Sequence, residues 1–174
     1  MQPVMYRASV PPFLMMLHNL STILKKAEAH AKARNIDPHV LATARLYPDM
    51  FPLPRQVQIA CDMAKRGVAR LARVEAPVNE DKETTFDELQ ARIASTVAFI
   101  KSVKPEQFEG AESRNVTIEV GREREKREVN GMTYLFDYVF AHFYFHVTMA
   151  YAIFRENGVE LGKNDYVMAP KAGS

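Results

Sequence analysis

Apolar residues recur at alternating steps of three and four through most of the chain, a pattern that predicts long amphipathic helices. The first helix is predicted to end before Asn35, and the second to cover about 54–73. The third begins at a capping box formed by Thr85 and Glu88. The last is predicted over about 132–157. The apolar positions of the first three helices are Phe13, Leu17, Leu20, Leu24, Ala27 and Ala31; Val57, Cys61, Ala64, Val68 and Leu71; and Phe86, Leu89, Ile93, Val97 and Ile100.

The segments between the long helices carry clear local signals. Asp37 precedes a proline and predicts the N-cap of a short helix. Three prolines in 47–54 forbid a helix there, so this stretch is predicted to be a rigid loop. Residues 115–120 alternate with period two, and the charged run 122–129 does the same, which predicts a small exposed hairpin. The stretch 158–166 is predicted to be irregular.

Four long amphipathic helices, with a long connection and a short β-hairpin inserted before the last helix, predict an all-α fold with the architecture of a four-helix bundle. The 174 residues are enough for one domain with a real core. No composition shift or linker marks a boundary. We therefore expect a single domain over 1–174, with its core at about 6–168.

Composition limits the partners and the compartment. The formal net charge is +2, and the bases are interleaved with acids, so no nucleic-acid partner is expected. The single cysteine, Cys61, rules out an internal disulfide framework and fits a reducing compartment. The first residues lack the pattern of a signal peptide, so the prediction is a cytoplasmic protein. The most apolar run, 135–154, contains Asp137, His142 and His146, which favours a buried helix over a membrane span.

Two histidines, His142 and His146, lie four residues apart in the last predicted helix, so both imidazoles are expected on one face. Both fall on an apolar seam at core-type spacing, which favours an inward position for the pair. A second apolar seam runs beside the first, so the periodicity does not fix the inward face uniquely. The two seams are Leu135, Val139, His142, His146, Met149 and Ile153, and Phe136, Phe140, Phe143, Val147, Ala150 and Phe154.

The histidine pair suggests a metal site, because two imidazoles one helical turn apart are a common start of one. A third ligand would have to come from another helix, and His18, Gln58 and Asp62 are the candidates. The alternative is that both histidines are neutral packing residues beside tyrosines. Asp62 likewise has two interpretations. It is a ligand, general base or hydrogen-bond partner of His146, or it forms a surface ion pair with Arg66.

Four stretches of the chain, 6–20, 47–62, 85–93 and 143–155, resemble an uncharacterised bacterial and fungal family. The most specific pieces are Asp-Met-Phe-Pro-Leu in the second stretch and Phe-His-x-Thr-x-Ala-Tyr in the last. The family is the domain-of-unknown-function family numbered nineteen ninety-three, and the resemblance covers nearly the whole chain. It is placed with the DinB/YfiT-like four-helix bundles, a superfamily described as metalloenzymes.

The resemblance implies a site as well as a fold. Related members of the superfamily use three histidines, one on the second helix and a pair on the last. His146 matches a ligand position on the last helix, and His142 completes the pair. Gln58 and Asp62 stand in the region of the second-helix histidine, which is missing here. The implied cofactor is a divalent metal, either zinc or nickel.

Two functions follow as hypotheses. The first is a metal-dependent transferase or isomerase acting on a small thiol-linked or electrophilic substrate. In it His146 and His142 bind the metal, Asp62 is a ligand or base, Tyr151 lines the pocket, and Arg155 holds an anionic group of the substrate. The alternative is a non-catalytic small-molecule-binding or dimerisation module that has lost the metal.

The expected partners are a second copy of the chain and an unknown small molecule. The segment 6–13, which contains Pro11 and Pro12, is a candidate for an arm that packs on the partner chain of a homodimer. Neither nucleic acid nor a membrane is an expected partner.

Overall fold

Helices make up most of the chain, which a computed structural model describes over residues 1–121 and 123–167. The helices are α1 (Val4–Ala33), α2 (Pro38–Ala42), α3 (Leu53–Ala72), α4 (Phe86–Ser102), α5 (Gly131–Thr133), α6 (Phe140–Glu156) and α7 (Lys163–Val167). Two short 3-10 turns, Pro105–Phe108 and Ala111–Ser113, precede an antiparallel hairpin of β1 (Asn115–Val120) and β2 (Glu125–Asn130). A π-helical turn, Tyr134–Val139, joins α5 to α6.

The core lies between the long helices, with α3 packed against α4 and α6, and α1 packed against all three of the others. Every predicted seam position of α1 and α3 is buried, and on α4 only Val97 is half-buried instead of buried. Burial of these side chains supplies the main driving force for folding. Among the described helices, none combines the length and the apolar character needed to cross a bilayer.

The local signals of the sequence are confirmed. The Asp37 carboxylate accepts a hydrogen bond from the backbone N–H of His39 at 2.9 Å and caps α2. At the start of α4, the Thr85 hydroxyl accepts from the Glu88 N–H, and the Glu88 carboxylate accepts from the Thr85 N–H. The hairpin forms with Val116 opposite Val129, although residue 122 of its charged run lies outside the described residues.

The N-terminal arm prediction is wrong. Helix α1 starts at Val4 and continues through Pro11 and Pro12. Each proline costs the helix a backbone hydrogen bond. The helix persists because its first turns already have a place in the core, where Met5 is fully buried and the Tyr6 ring meets the Phe108 ring edge-on at 5.3 Å.

The prediction of an irregular C-terminal stretch is also wrong in part, because α7 covers its end. The Asp165 carboxylate accepts from the Gly162 N–H and pairs with Lys26 on α1 at 2.5 Å. The Asn19 amide donates to the Tyr166 carbonyl oxygen at 2.8 Å. These contacts with α1 order the stretch, and no local pattern announces them. The expected end of the core, residue 168, lies outside the described residues.

The π turn changes which face of the last helix is buried. A π turn holds more residues per turn than an α-helix, so the core face shifts along the sequence. Leu135 and Val139 are buried before the shift, and Phe143 and Val147 are buried after it, at steps of four. The buried face therefore passes from the first predicted seam to the second. His142 consequently lies at the surface, and its predicted core position is wrong.

Candidate functional site

His146 is the buried histidine of the candidate site, with 7% of its surface exposed. Its Nδ1 lies 2.7 Å from the side-chain oxygen of Gln56 on α3. The amide nitrogen of Gln56 donates to the Phe51 carbonyl oxygen at 3.0 Å, so the amide oxygen must face the imidazole. Nδ1 is therefore the protonated ring nitrogen, and Nε2 carries the free lone pair.

This hydrogen-bonded chain joins two parts of the sequence that carry the family resemblance. Phe51 belongs to the Asp-Met-Phe-Pro-Leu stretch and His146 to the Phe-His stretch, and Gln56 bridges them. The bridge explains why an amide and an imidazole are kept in a largely apolar region, because each satisfies the other.

Both histidines are neutral at pH 7. Burial is the main cause that lowers the pKa of His146 from 6.5 to about 4, and the nearby His142 and Arg55 contribute to this shift in the same direction. Burial also lowers the pKa of His142. The His142 ring is in contact with the Tyr138 ring, with centroids 4.6 Å apart. Neutral imidazoles beside a tyrosine match the packing alternative, and they leave this surface without charge.

The two histidines line one shallow depression of about 410 Å³, together with Ala141 and Phe145. We call these four residues the Phe145 face. Phe145 is 52% exposed, a large value for a phenylalanine. The face thus combines an exposed aromatic side chain with a neutral hollow beside it.

Asp62 does not reach this face. One carboxylate oxygen accepts from Arg92 on α4 at 2.8 Å and lies 3.1 Å from the Lys65 ammonium. The other oxygen is 3.1 Å from a nitrogen of Arg66. The surface pair with Arg66 is confirmed. The expectation that Asp62 faces His146 is corrected.

The geometry of α3 gives the reason for that correction. Gln56 and Asp62 are six residues apart, which is about 240° around a helix axis. Gln56 points to α6 and Asp62 points to α4, so the two side chains cannot serve one site. Gln58 is committed elsewhere as well, because its amide nitrogen donates to Glu83 at 2.9 Å.

The chain's own donors therefore do not fit the zinc or nickel site implied by the resemblance. The described ranges, 1–121 and 123–167, contain no group of three or more His, Cys, Asp or Glu side chains that could hold a metal. His18, the other candidate ligand, is exposed on α1. The pair His142 and His146 offers two nitrogens, whereas zinc in proteins takes three or four protein ligands.

Tyr151 and Arg155 also lie away from the Phe145 face. The Tyr151 ring meets the ring of Tyr166, with centroids 6.0 Å apart, so it faces α7. Arg155 is exposed and donates to the Val159 carbonyl oxygen at 2.7 Å, where it holds the turn after α6. Nine residues separate Arg155 from His146, which places them on opposite sides of the helix.

A buried ionic network occupies the space between α3 and α4. The Arg92 side chain has no exposed surface and lies 2.8 Å from Asp62, 3.2 Å from Asp81 and 2.9 Å from Glu83. Burial raises the pKa of Asp81, but the hydrogen bonds and charges of Arg55 and Arg92 outweigh it, and the pKa is below its usual value. This network fastens the connection before α4 to both helices, which is a structural role.

Sequence reasoning missed Gln56 and one further cleft. The amide of Gln56 has no signal in the sequence, because its partner lies ninety residues away along the chain. A cleft of about 420 Å³ lies where α3, the hairpin and the π turn meet. The signal for it was the spacing of four between Arg66 and Arg70 and between Tyr134 and Tyr138. Its basic and aromatic lining side chains are Arg66, Arg70, Arg124, Lys126, Tyr134 and Tyr138.

Comparison with known proteins agrees with this picture of the fold. The model of the family described as Domain of unknown function (DUF1993) matches residues 5–167. The crystal structure of a DinB family member protein from Shewanella denitrificans is 40% identical in sequence, with a TM-score of 0.87. The alignment covers 97% of this chain and 94% of that one. No curated protein matches the chain.

Proposed function

The chain belongs to the DUF1993 family, and we propose that it is a single-domain, cytosolic four-helix bundle of the DinB type that acts as a homodimeric, non-catalytic binding module. The observation that carries the proposal is the composition of the Phe145 face. Its polar members are neutral, its most prominent member is an exposed phenylalanine, and Asp62, the acid expected to complete a metal site, is bonded elsewhere.

The occupant that best suits this face is a second copy of the same chain. An aromatic side chain lies beside a hollow on one helix, so a two-fold axis allows each Phe145 to enter the hollow of the other subunit. Such an interface pairs the same patch with itself. Burying the exposed half of a phenylalanine contributes about 1 kcal/mol per subunit.

The absence of charge on this face removes one cost of bringing two copies together, the repulsion between like charges. Ala141 and Phe145 are apolar, and both imidazoles are uncharged at pH 7. No like charges therefore meet across the two-fold axis. The free Nε2 of His146 is available to accept a hydrogen bond at the edge of the contact.

Sedimentation equilibrium of the full chain tests the proposal. We expect a dimer for the native sequence and a monomer for Phe145→Glu, because the introduced carboxylates would face each other in the contact. Val78→Glu is the matched control, since Val78 is 96% exposed and lies in the connection before α4. A native chain that stays monomeric across the micromolar range, or a Phe145→Glu variant that dimerises as well as the native chain, would refute the proposal.

One observation favours the second candidate, a metal-dependent transferase or isomerase. A histidine that donates Nδ1–H to an amide oxygen presents Nε2 in the manner of a metal ligand. The chain would then supply His146 and His142, and water or a second copy of the chain would have to supply the further ligands. Stoichiometric metal that co-purifies with the protein and is lost in His146→Asn would favour this function over the first.

A further inference from the structure

The cleft between α3, the hairpin and the π turn has the chemistry of a ligand site. We call it the basic cleft and define it by Arg66, Arg70, Arg124, Lys126, Tyr134 and Tyr138. We propose that the basic cleft binds a small organic anion, with a phosphate or carboxylate group held by the cations and a planar ring held by the tyrosines. The basic cleft shares no lining residue with the Phe145 face, although the Tyr138 ring of the cleft contacts the His142 ring of that face.

Positive charge in the cleft exceeds the negative charge around it. Arg124 pairs with Glu119 at 2.7 Å, and Arg66 pairs with Asp62. Arg70 and Lys126 take part in none of the ion pairs of the described residues. Arg70 on α3 and Lys126 on β2 are therefore left for a ligand, which favours a group with more than one negative oxygen.

Arg70 is held in place before any ligand arrives. Its guanidinium donates to the Thr117 carbonyl oxygen at 3.1 Å and lies over the Tyr134 ring, 5.7 Å from the centroid. These contacts use one N–H donor and one face of the planar guanidinium, and its other N–H donors remain available. A side chain ordered in this way loses little conformational entropy when it binds an anion.

The two tyrosines form an aromatic wall of the cleft beside Arg70. The rings of Tyr134 and Tyr138 stack with an interplanar angle of 20° and centroids 6.1 Å apart. The Tyr138 hydroxyl donates to the Glu119 carbonyl oxygen on β1 at 3.3 Å, which fixes the ring against the hairpin. Tyr134 is buried, whereas Tyr138 is half-buried and offers its ring to the cleft.

The π turn makes this wall compatible with the core. It holds Leu135 and Val139 in the core while Tyr134 and Tyr138 line the cleft. Such turns interrupt α-helices at functional sites more often than elsewhere. The packing of α3 explains how the turn is accommodated, since Gly67 leaves room for Val139 where a Cβ would lie 2.8 Å from it.

The cleft suits a small molecule better than a nucleic acid. The surface strand β2 and the turn before it alternate bases with acids, among them Glu123, Glu125 and Glu128. Those carboxylates interrupt any basic track that would follow a phosphate backbone. A volume of about 420 Å³ falls within the range of pockets for small ligands.

Isothermal titration calorimetry of the full chain at low ionic strength tests the proposal with phenyl phosphate, inorganic phosphate and phenol. We expect phenyl phosphate to bind most tightly, because its phosphate contacts the cations and its ring contacts the tyrosines. Arg70→Gln and Lys126→Gln should each weaken it about tenfold, the effect of losing one charge-assisted hydrogen bond. Lys101→Gln is the matched control, because Lys101 is exposed on α4 and its substitution removes the same charge at a position away from the cleft.

Tyr138→Leu tests the aromatic wall separately and should reduce phenyl phosphate to the affinity of inorganic phosphate. Millimolar phenyl phosphate that gives no binding heat would overturn the proposal. So would equal weakening by Lys101→Gln and Arg70→Gln, since it would show only general attraction to a basic protein. Native chain that binds inorganic phosphate as tightly as phenyl phosphate would overturn the role of the tyrosines.

Discussion

Removal of the Arg92 side chain is the most informative test of how the connection before α4 is held. The guanidinium is wholly buried and serves three carboxylates, those of Asp62, Asp81 and Glu83. Its Nε has no hydrogen-bond partner among the described residues, so the side chain is held by its terminal nitrogens alone. Arg92→Ala would leave three neighbouring acids without their shared cation.

The expected loss can be worked out from the burial of the partners. Breaking a buried ion pair by removing one partner costs about 3–5 kcal/mol, because the remaining charge stays desolvated. Here Lys65 still pairs with Asp62, and Asp81 is 36% exposed, so we expect the lower end, about 3 kcal/mol. That is a large part of the 5–15 kcal/mol typical of a folded domain.

Arg66→Ala is the matched control, because Arg66 pairs with the same Asp62 but is 57% exposed. An exposed pair is worth about 0–1 kcal/mol. Urea denaturation followed by far-UV circular dichroism, at one protein concentration, gives the free energy of unfolding of each variant. Equal losses in the two variants would refute the reasoning.

Three further predictions concern single residues. For His146, the folded-state pKa of about 4 lies below the usual 6.5, so the unfolded chain takes up the proton first. The free energy of unfolding should fall by at most about 3 kcal/mol as the pH drops from 6.5 towards 4. In urea denaturation at several pH values, His146→Asn should lose this part of the pH dependence. An unchanged pH dependence in the variant would contradict the prediction. Cys61 is fully buried, and burial raises its pKa to about 12, so Ellman's reagent should react with it only in denaturant, and fast labelling of the native protein would contradict this. Gly131→Ala should lower the free energy of unfolding by about 1–3 kcal/mol, because a Cβ there would overlap the Ala111 carbonyl oxygen. A variant whose Tm equals that of the native protein would contradict this close approach.

Features set by neighbours in the sequence could be predicted from it. The seams of α1 and α3, the Asp37 cap and the capping box at Thr85 depend on residues a few positions apart, and all are present. The alternation in 115–120 likewise gives β1, with Val116 and Ile118 buried. Local periodicity and capping chemistry were sufficient for these elements.

Features set by distant neighbours could not be predicted. The π turn depends on room provided by Gly67, which no local pattern links to Val139. If the π turn is not known, the two apolar seams of the last helix are equivalent, and the sequence wrongly places His142 in the core. Between Leu135 and Val147, apolar residues recur at every fourth position instead of at alternating steps of three and four. This spacing in the sequence indicates a helix with more residues per turn.

The candidate site shows the same division between local and distant information. The inward position of His146 was expected and is confirmed by its burial. Its partner was expected to be Asp62, but the partner is Gln56, because Asp62 lies on another face of α3, where it meets Arg92 of α4. An ion pair thirty residues apart in sequence has no local signal, whereas the pair of Asp62 with Arg66 at a spacing of four does.

We infer that this bundle works without a resident metal, with His146 as a neutral hydrogen-bonding residue. Elemental analysis of the full chain, after soaking in zinc, nickel or manganese and exhaustive dialysis, tests this inference. We expect metal far below one equivalent per dimer, with the same content in native protein and in His146→Asn. One equivalent per chain or per dimer that disappears in His146→Asn would show that His146 holds a resident metal.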